Sequence, residues 1–320
     1  MEINSGILDS ILKKILDLKP NESFLIITDE QKKELAMQVY EYAKKITPSA
    51  RIEIMKNLKV DGQEPESDVA ELMLNHDVQF YLTSKSLSHT DARRNATKKG
   101  RRIISAPGLT NSIINRCVDI DYDKLIKFHD RLRPIIANSK GIHITTKAGT
   151  NIRTSVHDTR GQSDNLLKNK QGAFGNLPTE EIDSGIVREK TNGTIVFDGS
   201  FPELGILKNP VKVEVINGKG KIIFDNEEAK KMNKMLSSVG EKAFLLAELG
   251  IGTNPEARIT GNILEDEKVL GTVHFAFGND LSYNGSNDVP LHLDGIIKVP
   301  TIEVDGKIIM KEGEFIDEFY

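Results

Sequence analysis

The first third of the chain alternates two hydrophobic rhythms. From Ser5 to Leu18, apolar pairs return every four residues, Ile7/Leu8, Ile11/Leu12 and Ile15/Leu16, which is one face of a helix. After a turn at Pro20-Asn21 comes the short apolar run Phe24-Leu25-Ile26-Ile27, too short for a helix and therefore read as a buried strand. The same pattern continues along the chain. Residues 30–46 predict a helix with Leu35, Val39 and Tyr42 on one side. A strand at 51–55, a helix at 67–75, a strand at 78–82, a helix at 90–99 and a strand at 102–105 follow. Strands separated by helices imply βαβ units and a mostly parallel sheet. A further helix is predicted over 122–133, ending before Pro134.

Beyond Gly141 the rhythm changes to strict alternation broken by tight turns. Residues 141–156 read as a hairpin turning at Ala148-Gly149, and 211–225 as one turning at Asn217-Gly218. Residues 303–309 read as a third, turning at Asp305-Gly306, and a helix over 226–239 lies between the last two. The predicted architecture is an α/β N-terminal domain with a mostly parallel sheet, followed by an α+β C-terminal domain with antiparallel sheet. The change of texture falls near 120–140, and the domains are drawn as 1–125 and 126–320.

Composition narrows the function classes. The 320 residues carry 43 Lys+Arg against 47 Asp+Glu, a net charge of −4. That leaves no basic field for a nucleic acid, and the expectation is no nucleic-acid partner. No run of about 18 apolar residues is present, so no membrane partner is expected either. The opening M-E-I-N-S-G-I-L-D has no basic segment before an apolar one, which predicts a cytoplasmic protein. No strand is followed by a glycine-rich phosphate fingerprint. The single cysteine, Cys117, excludes an internal disulfide and a thiolate metal cluster, so a metal would have to rely on the carboxylates and the seven histidines.

Four short patterns in the C-terminal half place such residues on apolar elements. In P-L-H-L-D-G, His292 and Asp294 are two apart, and in a strand they face the same way. In G-T-V-H-F-A-F-G, His274 sits inside an apolar run, sharing a face with Thr272 and Ala276. In L-L-A-E-L-G-I-G, Glu248 is the only charge between Lys242 and Glu256, and burying it demands a partner. In F-G-N-L-P-T-E-E-I, a Gly/Pro loop leads into Glu180 and Glu181. Each also has an ordinary structural reading: a core histidine, a local salt bridge or a solvated loop. Together they form an oxygen- and nitrogen-rich set suited to zinc, manganese, cobalt or iron(II). Enough carboxylates are present for two metals about 3.5–4 Å apart. The remaining histidines carry no such spacing, His89 being read as a helix-start or domain-interface residue.

At these residues the sequence resembles the thermophilic aminopeptidase T/aminopeptidase S metallopeptidases. The ordered blocks are F-G-N-L-P-T-E-E-I, A-E-L-G-I-G-T-N-P, L-E-D-E-K-V-L-G-T-V-H-F-A-F-G and N-D-V-P-L-H-L-D. S-L-S-H-T-D-A-R-R-N-A and I-S-A-P-G-L-T extend the likeness into the first domain. The resemblance implies a metal-dependent aminopeptidase that removes N-terminal residues from small peptides, with two divalent ions (zinc, cobalt or manganese) in the C-terminal domain. Glu181, Glu248, His274, His292 and Asp294 would be the ligands, Glu180 a spare acid suited to proton transfer, and the protein a homodimer. The family's tyrosine seven residues after the H-x-A-x-G histidine falls here on Leu281, so Tyr283 would have to take its catalytic place. The 2,5-dihydroxypyridine dioxygenases are shorter relatives that use one iron(II). His274, His292 and Asp294 have the ligand types of such a mononuclear site. A metal-free relative of the same fold is the third reading.

Overall fold

A computed structural model describes residues 2–157 and 171–316, which fall into two compact units. Of the described residues, the first comprises 2–120 and 171–179, the second 121–157 and 180–316. The return of 171–179 to the first unit makes both units discontinuous in sequence, an arrangement that a single division at 125/126 does not have.

The first unit is built on a five-stranded, all-parallel sheet. Its order is Ala50–Met55, Phe24–Asp29, Val78–Leu82, Arg102–Ser105 and Phe174–Asn176. The central strands are buried along their whole length, as the unbroken apolar runs require, and helices Lys33–Ala43, Ser67–Asn75 and Asp91–Lys98 connect the first four. The N-terminal helix forms at Ser5–Asp9 but widens into a π-helical stretch over Ser10–Ile15, where Leu16 N bonds back to Ile11 O at 2.9 Å. Ile11, Leu12, Ile15 and Leu16 are all fully buried by it.

The second unit contains two larger antiparallel sheets besides a two-stranded pairing of Ser200–Phe201 with Gly205–Ile206. One has eight strands: Lys219–Ile222, Val211–Ile216, Asn192–Phe197, Asn151–Thr154, Ile142–Thr145, Thr301–Val304, Lys307–Lys311 and Glu314–Phe315, in that order. The three hairpins read from the sequence are all in it. Asn217 and Gly218 both take positive φ, 49° and 70°, the backbone a two-residue turn with right-twisted strands needs. The other sheet has four strands in the order His292–Ile297, Val273–Gly278, Leu246–Gly252 and Glu181–Gly185.

Two local expectations differ from the structure. The helix beginning at Tyr122 does not stop before Pro134 but runs through it to Ala137. Leu132 and Ile136 are buried on either side of the proline, so packing outweighs the bias of the preceding residue against helix. The Gly/Pro loop read within 174–182 is confined to residues 177–180: Phe174–Asn176 extends the parallel sheet, and Glu181 opens a strand of the four-stranded sheet.

Candidate metal centre

One face of the four-stranded sheet gathers the chemistry. Register alignment pairs Glu248 with Ala276 and Gly185, Gly250 with His274 and Asp183, Gly252 with Glu181, Ala276 with Asp294, and Gly278 with His292. Directly paired strand residues share a face, as do residues two apart. Glu181, Asp183, Glu248, His274, His292 and Asp294 therefore project together. The intervening positions on that face are Gly185, Gly250, Gly252 and Ala276, small enough to leave room. At Gly250 the room is already used: a Cβ there would lie 2.0 Å from His274 Nε2. At Gly185 it would lie 2.6 Å from the Cβ of Tyr283.

Glu248 is the hub. His274 Nε2 lies 3.2 Å from its Oε1 and His292 Nε2 lies 2.8 Å from its Oε2. Asp294 Oδ1 is 3.4 Å from His292 Nε2, and Glu181 Oε2 is 3.6 Å from His274 Nε2. His292 Nδ1 donates to the Asn279 carbonyl at 2.8 Å, which turns its Nε2 toward the cluster. Of the residues expected from sequence, the five assigned as ligands thus lie within one connected group. Glu180 points its carboxylate elsewhere: it is fully buried and accepts from Asn254 Nδ2 at 2.6 Å, while its carbonyl accepts from Thr253 N. Alternation along the strand entry separates it from Glu181. Tyr283 does reach the cluster. Its hydroxyl donates to Asp183 Oδ2 at 2.8 Å, and its ring stacks on His292 at 6.3 Å and 28°.

Three members had no expectation attached. Asp183 is one. Glu267 and Lys268 are the others: the buried Lys268 ammonium bonds both Glu181 Oε1 and Glu267 Oε1, the latter at 2.6 Å. They belong to Glu265-Asp266-Glu267-Lys268, four consecutive charges that are all buried. A charge run reads as a solvated face, so its signal pointed the wrong way. The usable clue was the flanking apolar text, Ile263-Leu264 before it and Val269-Leu270 after it.

The electrostatics call for a cation. Glu181, Asp183, Glu248, Glu267 and Asp294 face one ammonium and two imidazoles. Burial pushes Glu181 well above the usual carboxylate range, with Lys268 opposing, and raises Glu267 to about 7. Burial would raise Glu248 too, but hydrogen bonds from His274 and His292 outweigh it and hold Glu248 well below that range. Burial depresses His274, yet the Glu248 hydrogen bond and the surrounding carboxylates lift it to about 9, and His292 also rises well above its ordinary value. Both shifts favour the charged imidazole, because the carboxylates lack another cation. A metal ion supplies that charge without protons.

The residues fit such an ion. Asp294 Oδ1 and His274 Nδ1 are buried and without a hydrogen-bond partner, and the donor set is nitrogen and oxygen throughout. Among the described residues two groups bring their ligand atoms within 4.8 Å of one another: Glu248, His292 and Asp294, and Glu181, Glu267 and His274.

The model of one family, NicX, 2,5-dihydroxypyridine 5,6-dioxygenase, matches residues 13–317. The chain belongs to this 2,5-dihydroxypyridine 5,6-dioxygenase family. Among solved structures it is similar to 2,5-dihydroxypyridine dioxygenase from Pseudomonas putida KT2440. The TM-score is 0.83 at 14% identity, over 98% of this chain and 96% of that one. It is also similar to wild-type AmpT from Thermus thermophilus, with a TM-score of 0.67 at 14% identity over 98% of both chains. These likenesses establish the fold. No curated protein matches in sequence. The relation to both groups agrees with the resemblance read from the motifs, but the family match falls on the dioxygenases, which the motifs had placed second. Among the described residues no helix is long and apolar enough to cross a membrane.

Proposed function

We propose that the chain is a mononuclear iron(II) dioxygenase that opens a dihydroxylated, pyridine-like ring. The observation that supports it most is the placement of His274, His292 and Asp294 on one sheet face of a chain that belongs to the dioxygenase family. Two imidazoles and one carboxylate are the ligand types that hold iron(II) while leaving positions open. The ion, when bound, supplies dioxygen activation and Lewis acidity toward a ring hydroxyl.

The chain's own groups have separable tasks. Asn279 holds the His292 tautomer through its carbonyl. The two Glu248 oxygens lie against the same Nε2 atoms, so its carboxylate would face the ion beside them and balance the ion's charge. The Tyr283 ring, stacked on His292, offers a flat wall beside the ligands, and the Tyr283–Asp183 hydrogen bond is a place where a proton from a ring hydroxyl is held.

The competing reading is a two-metal aminopeptidase, favoured by the second ligand group of Glu181, Glu267 and His274. Against it stand Leu281, where that family carries a phenol, and the commitment of the Tyr283 hydroxyl to Asp183.

Oxygen uptake decides between them. Protein loaded anaerobically with iron(II) should consume oxygen and bleach the absorbance of 2,5-dihydroxypyridine in equal molar amounts. Zinc-, cobalt- or manganese-loaded protein should leave aminoacyl-nitroanilides intact. Nitroanilide release without oxygen uptake would reverse the assignment.

A further inference from the structure

We propose that Lys268 is a tethered cation that takes the place of a second metal ion, so that the centre loads one divalent ion per chain. This deepens the mononuclear reading above and rests on it for the nature of the first ion.

The cluster holds two sets of ligand atoms, joined through His274, whose Nε2 lies 3.6 Å from Glu181 Oε2 and 3.2 Å from Glu248 Oε1. Ligand count alone would admit an ion in each set. The two sets differ in how the chain itself balances them. Around Glu248 the neighbouring groups are imidazoles, each of which has a ring nitrogen able to give a metal its lone pair. Between Glu181 and Glu267 it is the Lys268 ammonium, which offers three donors and no lone pair while charged. An ion placed there would meet that ammonium at contact distance in a buried setting, where charge repulsion is weakly screened.

Lys268 is also poorly able to withdraw. Its side chain has no exposed surface. Its backbone is pinned on both sides, the N–H to Glu265 O at 2.9 Å and the carbonyl to Asn254 N at 2.8 Å. Swinging the ammonium out would strand two buried carboxylates, a cost that favours the ion pair staying whole.

The test counts metal. Protein stripped with chelator and re-equilibrated with manganese(II) or zinc(II) is analysed for metal per chain by plasma mass spectrometry. The wild type should hold one equivalent and Lys268→Met two. The double variant Lys268→Met/Glu181→Gln should return to one. Two equivalents in the wild type, or one in a folded Lys268→Met protein, overturns the proposal. If Lys268→Met does not fold, Glu181→Gln alone decides. It should keep one equivalent with affinity changed less than about tenfold, below the usual cost of disturbing a ligand's support. Loss of the metal would overturn the proposal. Counts of one and two without oxygen uptake on any dihydroxylated ring would uphold the role of Lys268 and remove the dioxygenase reading instead.

Discussion

Both units bury polar and charged groups, but they balance them differently. In the parallel-sheet unit the buried charges at the sheet are answered by the chain, and the one orphaned buried side-chain atom among its described residues, Asn111 Oδ1, is neutral. Asp29 accepts from Gln31 N and Lys32 N on one oxygen and from Ser84 N and Oγ on the other. Arg102 forks onto both oxygens of Glu22 at 2.8 Å and reaches Leu16 O as well. Gln79 donates to Met73 O and His76 O while accepting from Tyr81. In the four-stranded sheet of the second unit, carboxylates outnumber cations, and Asp294 Oδ1 and His274 Nδ1 have no hydrogen-bond partner. A closed set of partners marks structure; an open one with excess charge marks a place for a ligand.

The sharpest way to break this comparison is to remove a group from each side. His292→Ala or Asp294→Ala should abolish metal retention and oxygen uptake, by more than the roughly 10–100-fold cost of altering a supporting partner. Dialysis against chelator should do the same to the wild type. In the metal-free state Asp294→Ala should cost little stability, because it relieves crowded negative charge, whereas His292→Ala takes a partner from buried Glu248 and should destabilise. Thermal unfolding with and without metal, alongside metal analysis, checks both halves. Arg102→Met should behave in the opposite way. It leaves Glu22 without its fork in a mostly buried position and should cost about 3 kcal/mol of stability. Metal content of the folded fraction should stay unchanged. Chemical denaturation and plasma mass spectrometry together test it, and loss of metal at unchanged stability would erase the distinction.

A smaller change sharpens the site side. Gly250→Ala puts a methyl where His274 Nε2 now lies. The imidazole must rotate away, and metal affinity should fall about 10–100-fold with the fold retained. Ala276→Gly on the same face adds space and should change affinity far less. Isothermal titration with manganese(II) or iron(II) compares the two.

Part of this was legible in the residues. Alternating apolar runs located the strands of both units, and Asn217-Gly218 placed its hairpin, because local backbone geometry decides those features. His292 and Asp294 were readable because a spacing of two fixes a shared face, and Glu248 because it is a lone charge in an apolar run. Lys268 and Glu267 were not, since nothing local distinguishes a buried ion pair from a solvated charge run. Their burial depends on Glu181, 87 residues away. Spacing alone did not separate Glu180 from Glu181, and only the resemblance preferred Glu181; the strand beginning at Glu181 turns that carboxylate to the cluster while Glu180 meets Asn254. Asp183 and Tyr283 meet across 100 residues, a long-range pairing that no motif encodes.

The smallest effect concerns a polar group in the second unit that behaves like those of the first. His129, on the helix Tyr122–Ala137, is buried with its Nε2 2.7 Å from Thr253 Oγ1, one residue beyond the strand that carries Glu248. Burial first, and then the nearby Arg133 charge, lower it from 6.5 to about 3. The native chain therefore keeps His129 neutral where the unfolded chain begins to protonate. Its contribution is fully present above about pH 6.5 and is lost as pH falls toward 3. Between pH 7 and 5 the loss should be about 2 kcal/mol, at 1.36 kcal/mol per unit below 6.5. The carboxylate cluster also titrates on acidification, so the informative quantity is the difference between wild type and His129→Gln, which keeps a hydrogen-bonding side chain but cannot titrate. Unfolding free energies of the metal-free proteins, measured in urea at pH 7, 6 and 5, should converge as pH falls. Parallel curves would show that His129 takes up its proton inside the native structure, and would put it with the open set of groups rather than the closed one.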